Sequence, residues 1–284
     1  MLNNPKKNRF VMMKYIAPGS WFSLEYPSDW REFEDTEDSF LFYNPDKWGG
    51  NFRISAFRGE NRSYARECVD YELKQTQGAR LVKVGGWDCA YSTENFQENG
   101  SWYTTHLWVT GKDSISVECS FTVTKGESIK VAESILASLW VRGDADKPLH
   151  EVIPVRVLEI DVINECFDWA VSTIKKQLTK DFTSSEADVQ SIQKVIDSDK
   201  FNRSQRQAWE SFGVAFGAIL VNEMDGMDWV TVIDGQKEFP ALRFADTDLM
   251  VYPLSLVWEK VRRGEACDLK AEYARIRSEV EALL

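Results

Sequence analysis

The sequence predicts an α+β protein, in which an antiparallel sheet with flanking helices is followed by an α-rich domain with a small β-sheet. Apolar residues recur at every second position as far as about residue 123, and mostly at helical spacing after about residue 155. A short polar segment with helix-breaking residues, 143–148, separates the two patterns. Because 284 residues exceed a typical single domain, we expect two domains, residues 1–147 and residues 148–284.

The first predicted strand runs through Phe22, Leu24 and Tyr26. These side chains share one face of an extended segment, and Pro27 cannot donate a hydrogen bond to a continuing ladder. We therefore expect the three apolar side chains to be buried, with Trp30 anchored in the same core.

Alternation continues through the first domain and is punctuated by turn residues such as Gly85-Gly86 and Asn99-Gly100. The predicted strands are 21–26, 30–34, 39–43, 51–57, 80–84, 87–94, 102–109 and 114–123. One helix is predicted between Ser63 and Gly78, and a second follows Ser128, where apolar residues repeat at helical spacing. The acidic residues 32–38 are expected to form a solvated hairpin rim rather than a cation site.

Helices dominate the second predicted domain. The predicted helices are 155–178, a segment around 189–196, 204–223, 253–263 and 269–284. In the first of them, we expect one buried stripe formed by Val155, Leu158, Val162, Cys166, Ala170, Ile174 and Leu178. Two short strands, 229–233 and 241–244, are predicted to meet at a turn containing Asp234-Gly235.

The charge of the chain bears on its partners. The net charge is -11, with 18 basic against 21 acidic side chains in residues 1–147 and 16 against 24 in the remainder. This charge opposes attraction to phosphate, so we expect no nucleic-acid partner. The longest apolar run, 214–221, is far below the ~20 residues that cross a bilayer. We therefore expect no membrane insertion.

The cysteines and the N-terminus predict a cytoplasmic location. The five cysteines are odd in number and far apart, without a CxxC pair. The basic residues Lys6, Lys7 and Arg9 precede an apolar stretch, 10–13, that is too short for a signal-peptide core. Both observations favour a reducing compartment.

The first candidate binding surface lies on the strand 102–109. Alternation places Trp102, Thr104, His106 and Trp108 on one face. One interpretation is an aromatic platform for a ligand. The other is a sheet face packed beneath a helix, with His106 hydrogen-bonded within it, and this is favoured because indole rings are seldom left exposed.

The second candidate surface is acidic. Six carboxylates fall around the small predicted sheet and its turns: Asp225, Asp228, Asp234, Glu238, Asp246 and Asp248. We single out Asp225, Asp228 and Asp234, because Gly226 and Gly235 permit sharp turns beside them. A binding role competes with the simpler explanation that aspartates favour turns. No recognised metal-ligand spacing, phosphate loop or nucleophile motif occurs, so we expect no metal, no cofactor and no catalytic residue.

A family resemblance rests on the segment Phe22-Ser23-Leu24-Glu25-Tyr26-Pro27-Ser28-Asp29-Trp30, followed by strands, a helix, four strands and a closing helix. This pattern resembles the PsbP-like and DcrB-like α/β/α sandwich superfamily over about half the chain. The second half looks like a bacterial domain of unknown function that accompanies such sandwiches. Its similarity is carried by 212–217, Trp229, Asp234-Gly235, 240–242 and 252–254.

The resemblance implies a binding role. Members of that superfamily act mostly as photosystem assembly factors, regulators of a small GTPase and chaperones of secreted effectors, and no catalytic residue carries over. We therefore expect a cytoplasmic, noncatalytic protein-binding or chaperone-like module whose partner is another protein. The alternative is a small-ligand or metal-dependent activity at the domain junction, where pockets are common.

We predict that residues 1–147 fold without the second domain, because the change of periodicity marks the edge of an independent core. A chain that ends near Asp146 should lose its far-UV circular dichroism and its tryptophan fluorescence in one cooperative urea transition. If that chain is soluble only together with the second domain, either the boundary or the independence is wrong.

Overall fold

The computed structural model describes residues 11–36, 39–198 and 200–284. These residues divide into two units, the first ending at Leu149 and the second running from His150 to Leu284. The N-terminal residues 1–10, and Glu37 and Asp38 of the predicted acidic rim, lie outside the described residues.

The first unit, within the described residues, forms ten strands and two helices. The strands are β1 (Met12–Ile16), β2 (Phe22–Pro27), β3 (Arg31–Thr36), β4 (Ser39–Tyr43), β5 (Asn51–Arg58), β6 (Arg80–Val84), β7 (Trp87–Glu98), β8 (Ser101–Lys112), β9 (Ile115–Thr124) and β10 (Trp140–Val141). The helices are α1 (Tyr64–Gln75) and α2 (Lys130–Ala137).

Two antiparallel sheets form the first unit. The larger has seven strands in the order β3-β4-β5-β9-β8-β7-β6, and the smaller has the order β1-β2-β10. The core lies between the larger sheet and a layer made of the smaller sheet and α2. Helix α1 packs on the opposite face of the larger sheet, over β7, β8 and β9.

The start of the chain differs from the prediction in one respect. The strand through Phe22 is the second strand, and it pairs with β1 and β10 in the separate small sheet rather than in the long meander. Strand β1 was not predicted, because five residues interrupted by Lys14 give little alternation and owe their strand conformation to pairing with β2.

The buried positions around β2 are those that alternation predicts. Phe22, Leu24 and Tyr26 are buried, and Trp30 is only 8% exposed. The Trp30 ring stacks on Phe121 of β9 with centroids 6.5 Å apart. The predicted anchoring of Trp30 in this core is therefore confirmed.

The second unit combines five helices with one small sheet, within the described residues. Its helices are α3 (Val157–Leu178), α4 (Val189–Ile196), α5 (Arg206–Glu223), α6 (Pro253–Arg263) and α7 (Leu269–Glu281). Its strands are β11 (His150–Pro154), β12 (Met227–Asp234), β13 (Lys237–Phe244) and β14 (Met250–Val251), antiparallel in that order. Helix α5 contributes most to the core, and Gly213 lets the backbone of Pro253 pack closely against it.

The predicted buried stripe of α3 is wrong at its N-terminal end. Leu158 and Val162 are 42% and 41% exposed, whereas Ile163, Cys166 and Ala170 are buried. The reason is that a different residue in the first helical turn, Glu159, points toward the interior.

The observed architecture confirms the predicted fold class. Antiparallel sheets with flanking helices are followed by an α-rich unit with a small sheet. The two strands predicted in the second unit are present as β12 and β13, and the turn between them contains Asp234 and Gly235. Strands β11 and β14 were missed, because they lie at the edges of the sheet and one has only two residues.

We predict that Trp30→Ala lowers the free energy of unfolding by about 3–5 kcal/mol, as truncation of a large buried aromatic does. Denaturant titration of the complete chain measures the change. Trp102→Ala, which truncates a half-exposed ring, is the matched control and should cost far less. An unchanged midpoint for Trp30→Ala would contradict the packing described above.

Candidate functional site

The predicted aromatic platform lies on the inner face of the seven-stranded sheet. Trp102, His106 and Trp108 share this face, because Trp108 pairs with Cys119 and His106 with Phe121, both in the core. Trp108 is only 1% exposed, whereas Trp102, beyond the core, is 50% exposed with Lys125 Nζ 5.3 Å from its ring centroid. The structure therefore does not bring the three rings together on an open surface.

His106 is part of a stack within the sheet. Its Nδ1 lies 2.7 Å from the hydroxyl oxygen of Tyr91, and its ring centroid is 6.0 Å from those of both Tyr91 and Trp108. Burial lowers the pKa of His106 below its ordinary value. This arrangement is that of a partly buried, hydrogen-bonded histidine within the sheet.

The predicted acidic residues are spread along β12. Asp225 lies in the turn before the strand, Asp228 near its start and Asp234 at its end. Six strand residues span about 20 Å, so Asp228 and Asp234 do not converge. Asp234 instead lies with Oδ1 2.8 Å from Nδ1 of His150. In the described part of the chain, no group of three or more His, Cys, Asp or Glu side chains is placed to hold a metal ion.

Glu238, the fourth predicted carboxylate, belongs to a buried ion network. The Arg156 side chain, 1% exposed, donates to Glu159 from Nε at 2.9 Å and to Glu238 from Nη2 at 2.9 Å. The Thr231 hydroxyl donates to Glu159 at 3.1 Å. Burial would lower the pKa of Arg156, but its bonds to the two carboxylates raise it above its ordinary value. Each charged group in this network has an oppositely charged partner within hydrogen-bonding distance, and buried ions need such partners in a stable fold.

The outer face of the seven-stranded sheet is only partly covered. Helix α1 comes close at Gly111, where a Cβ would lie 2.9 Å from that of Ala65, and Glu72 of the helix accepts a hydrogen bond from Ser92. Residues of β8 with odd numbers face this side, including Thr105 and Tyr103. These two positions lie toward the free end of the β7–β8 hairpin, away from the Gly111 end of β8 where α1 approaches.

Aromatic side chains gather on that outer face in two groups. Tyr103 stacks on Phe96 at 5.5 Å and meets the edge of Trp48 at 5.8 Å. Phe33 stacks on Tyr43 at 4.3 Å. Trp48 is 45% exposed, although indole is one of the side chains that burial favours most.

A row of short polar side chains separates the two groups. Tyr43 pairs with Asn51, Asn51 with Thr122, and Thr122 with Thr105, each on a neighbouring strand. Adjacent strands lie ~4.8 Å apart, so roughly 14 Å separates Tyr43 from Thr105 across the sheet. The Thr105 and Thr122 hydroxyls are 2.9 Å apart and hydrogen-bonded. We call the residues Phe33, Tyr43, Trp48, Asn51, Phe96, Tyr103, Thr105 and Thr122 the outer aromatic face.

Sequence reasoning missed this face. The same alternation that grouped Trp102 with Trp108 also puts Tyr103 and Thr105 on the opposite side. The sequence signal that could have revealed this face is a hairpin turning at Asn99-Gly100, which places Tyr103 opposite Phe96. What alternation did not give is which of the two faces is covered.

The second unit contains a separate groove, with a volume of about 710 Å³. It lies between α4 and α7 and is lined by Glu186, Ala187, Val189, Gln190, Gln193, Asp197, Ala266, Cys267, Asp268, Lys270 and Tyr273. The size falls within the range of small-molecule sites in proteins.

Gln193 holds the two walls of that groove in place. Its side-chain amide donates to Asp197 Oδ1 at 2.9 Å and to the Cys267 carbonyl at 2.8 Å. Its side-chain oxygen accepts from the Leu269 amide at 2.9 Å. Asp268 then caps α7 by accepting from the Ala271 amide at 2.9 Å.

The buried cysteines have the character of core thiols. Burial raises the pKa of Cys89 and of Cys267 to about 11, and it raises the pKa of Cys119 and Cys166 as well. A thiol with a raised pKa is protonated near neutral pH and is a poor nucleophile.

Two family models match the chain. The "Domain of unknown function (DUF3805)" matches residues 11–164, and the "Domain of unknown function (DUF3806)" matches residues 188–273. The first match covers more than half of the chain. The chain belongs to the DUF3805 family. The predicted combination of a sandwich domain with a second domain of unknown function is confirmed by the two matches and by the observed fold.

A solved structure from Bacteroides thetaiotaomicron VPI-5482, determined at 1.50 Å resolution, is similar over most of the DUF3805 chain. The identity is 51%, with 92% of this chain and 97% of that chain covered and a TM-score of 0.87. Two other structures match about half of the chain at low identity. Cyanobacterial PsbP from Synechocystis sp. PCC 6803 is 12% identical, covering 50% of this chain and 99% of that one, with a TM-score of 0.28.

The other low-identity match is LpqN, which is involved in cell envelope biogenesis of Mycobacterium tuberculosis. It is 15% identical and covers 47% of this chain and 92% of that one, with a TM-score of 0.30. Scores this low carry no functional inference. A search of curated proteins gave no match. Across the described residues, no helix is both long enough and apolar enough to span a bilayer.

We predict that His106 contributes to the pH dependence of stability. Because burial lowers its folded-state pKa, the contribution is complete above the unfolded value of ~6.5 and is lost as the pH falls through the folded-state pKa. His106→Gln should reduce the loss of unfolding free energy between about pH 8 and pH 5.5, measured by urea titration. Identical pH dependence in the two proteins would contradict the desolvation of this ring.

Proposed function

We propose that this protein is a noncatalytic, cytoplasmic protein-binding module, and that the outer aromatic face of the first unit is its binding surface. The observation that supports the proposal is the partly uncovered sheet face on which Tyr103 contacts both Trp48 and Phe96. Tyr, Trp and Phe are enriched at the centres of protein interfaces, and Trp and Tyr often dominate the binding energy.

A protein suits this surface better than a small ligand does. The face extends over several strands instead of enclosing a cavity. Specific protein interfaces cover about 800 Å² on each partner, and they tolerate a flat surface if aromatic anchors are present. The short side chains of Asn51, Thr122 and Thr105 leave room for a partner segment between the two aromatic groups.

The charge beside the Phe33–Tyr43 group favours a carboxylate in the part of the partner segment that covers it. Arg31 pairs with Tyr43 and so lies beside this group on the outer face, whereas farther along the face Glu94 pairs with Thr105 and Glu118 with Val109. Arginine binds carboxylates through paired hydrogen bonds. We therefore propose a partner segment that carries apolar or aromatic side chains, with a carboxylate only where it meets the Phe33–Tyr43 group.

The test uses a photoreactive amino acid, p-benzoylphenylalanine, at Thr105 in the full chain inside the cells that express it. The same amino acid at Thr104 is the matched control, because neighbouring residues of β8 face opposite sides. We expect one protein adduct from position Thr105 and none from Thr104, identified by mass spectrometry. Many adducts of unfolded proteins would instead indicate a chaperone-like form of the same activity.

Side-chain variants then connect the adduct to the face. Tyr103→Ala and Arg31→Glu should each reduce adduct yield by roughly tenfold or more, as loss of an interface hot spot does. Trp102→Ala removes a half-exposed ring from the other face and should leave the yield unchanged. Equal adducts from Thr104 and Thr105, or no effect of Tyr103→Ala, would rule out this surface.

A small-ligand activity is the second candidate, and the groove between α4 and α7 is the observation that favours it. The sequence predicts that activity at the domain junction, and this location stays a prediction. A metal-dependent activity also stays a prediction. The binding roles of Asp225, Asp228 and Asp234 also stay predictions, with the qualification that Asp228 and Asp234 are separated along β12.

A further inference from the structure

We propose that the groove between α4 and α7 binds a small organic cation, with an ammonium or guanidinium group attached to an apolar body. This site is in the second unit and is independent of the outer aromatic face.

The floor of the groove suits an apolar body. Val189, Cys267 and the ring of Tyr273 are buried and belong to the core of the second unit. Ala187 and Ala266 line the groove with small side chains that leave its volume open. Apolar surface of this kind is stabilised when a ligand displaces water from it.

The polar lining of the groove favours a positively charged ligand. Three carboxylates, Glu186, Asp197 and Asp268, line the groove with one ammonium, Lys270, and Glu186 is paired with Arg277 Nη1 at 3.3 Å. Asp197 and Asp268 each engage Oδ1 in the bonds that hold the walls. Their second oxygens supply acceptors for a cationic donor. An anionic ligand, including any phosphate ester, would meet repulsion from Asp197 and Asp268.

The size and rigidity of the groove favour a small molecule over a protein segment. Helix α4 has only eight residues, so its wall is too short to supply the ~800 Å² that a protein partner would cover. The three hydrogen bonds of Gln193 fix both walls without a ligand. A pre-formed site loses less conformational entropy on binding.

The test is isothermal titration of the full chain with three probes that share one aromatic body: phenethylamine, phenethyl alcohol and hydrocinnamate. At neutral pH they are cationic, neutral and anionic. We expect the ammonium to bind about threefold to fivefold more tightly than the alcohol, as one ion pair allows, and hydrocinnamate to give no binding heat. Equal binding of the three probes, or no binding of phenethylamine at millimolar concentration, would overturn the proposal.

Variants locate the binding. The double change Asp197→Asn and Asp268→Asn keeps the shape and the helix cap, and it should weaken phenethylamine binding roughly tenfold by removing two charges. Asp228→Asn, at an exposed strand position outside the groove, is the matched control. Lys270→Gln should strengthen binding, because it removes the opposing charge. Weaker binding after Lys270→Gln, or unchanged binding in the double variant, would contradict the assigned site.

A blocking variant keeps the test decisive if the double variant is unstable. Ala187 is exposed at the groove wall, so Ala187→Trp fills the space without entering the core. Binding should be lost while the melting temperature changes little. Binding that survives in Ala187→Trp would place the ligand elsewhere and overturn the inference.

Discussion

The first unit depends on the pairing of β8 between β7 and β9, because this register decides which side chains are buried. Even-numbered residues such as His106 and Trp108 face the core, and odd-numbered residues such as Tyr103 face outward. A shift of one residue would exchange the two sets. The aromatic content of β8 therefore stabilises the sheet on one face and supplies a surface on the other.

In the second unit, the corresponding constraint is electrostatic. Burying Arg156 costs several kcal/mol unless its charge is compensated, and Glu159 and Glu238 provide that compensation from α3 and β13. The same bonds hold the Glu159 side chain in the interior, in the first turn of α3, and the Leu158 side chain is left exposed. A polar network thus overrides the apolar stripe that the sequence pattern of this helix predicts.

Local pattern predicts the elements well, but it does not predict what covers them. Alternation and capping residues locate the long strands and most of the helices, and they identify Trp30 as a core residue. They cannot choose between the faces of β8, because that choice depends on where α1 and the small sheet pack. The groove is equally invisible in sequence, since Gln193 contacts Leu269 only after folding. Asp228 and Asp234 are only six positions apart in sequence, yet an extended strand separates them in space.

The boundaries of the matched families do not coincide with those of the folded units. The DUF3805 match runs to residue 164, past β11 and into α3, both of which belong to the second unit. Within that unit, Arg156 and Glu159 come from the DUF3805 match, while Thr231 and Glu238 come from the DUF3806 match. A DUF3806 segment alone would leave Thr231 and Glu238 without these partners and would lack the buried face of α3. The buried ion network therefore joins residues of both matched segments within the second unit. This gives a physical reason why the two segments occur in one chain.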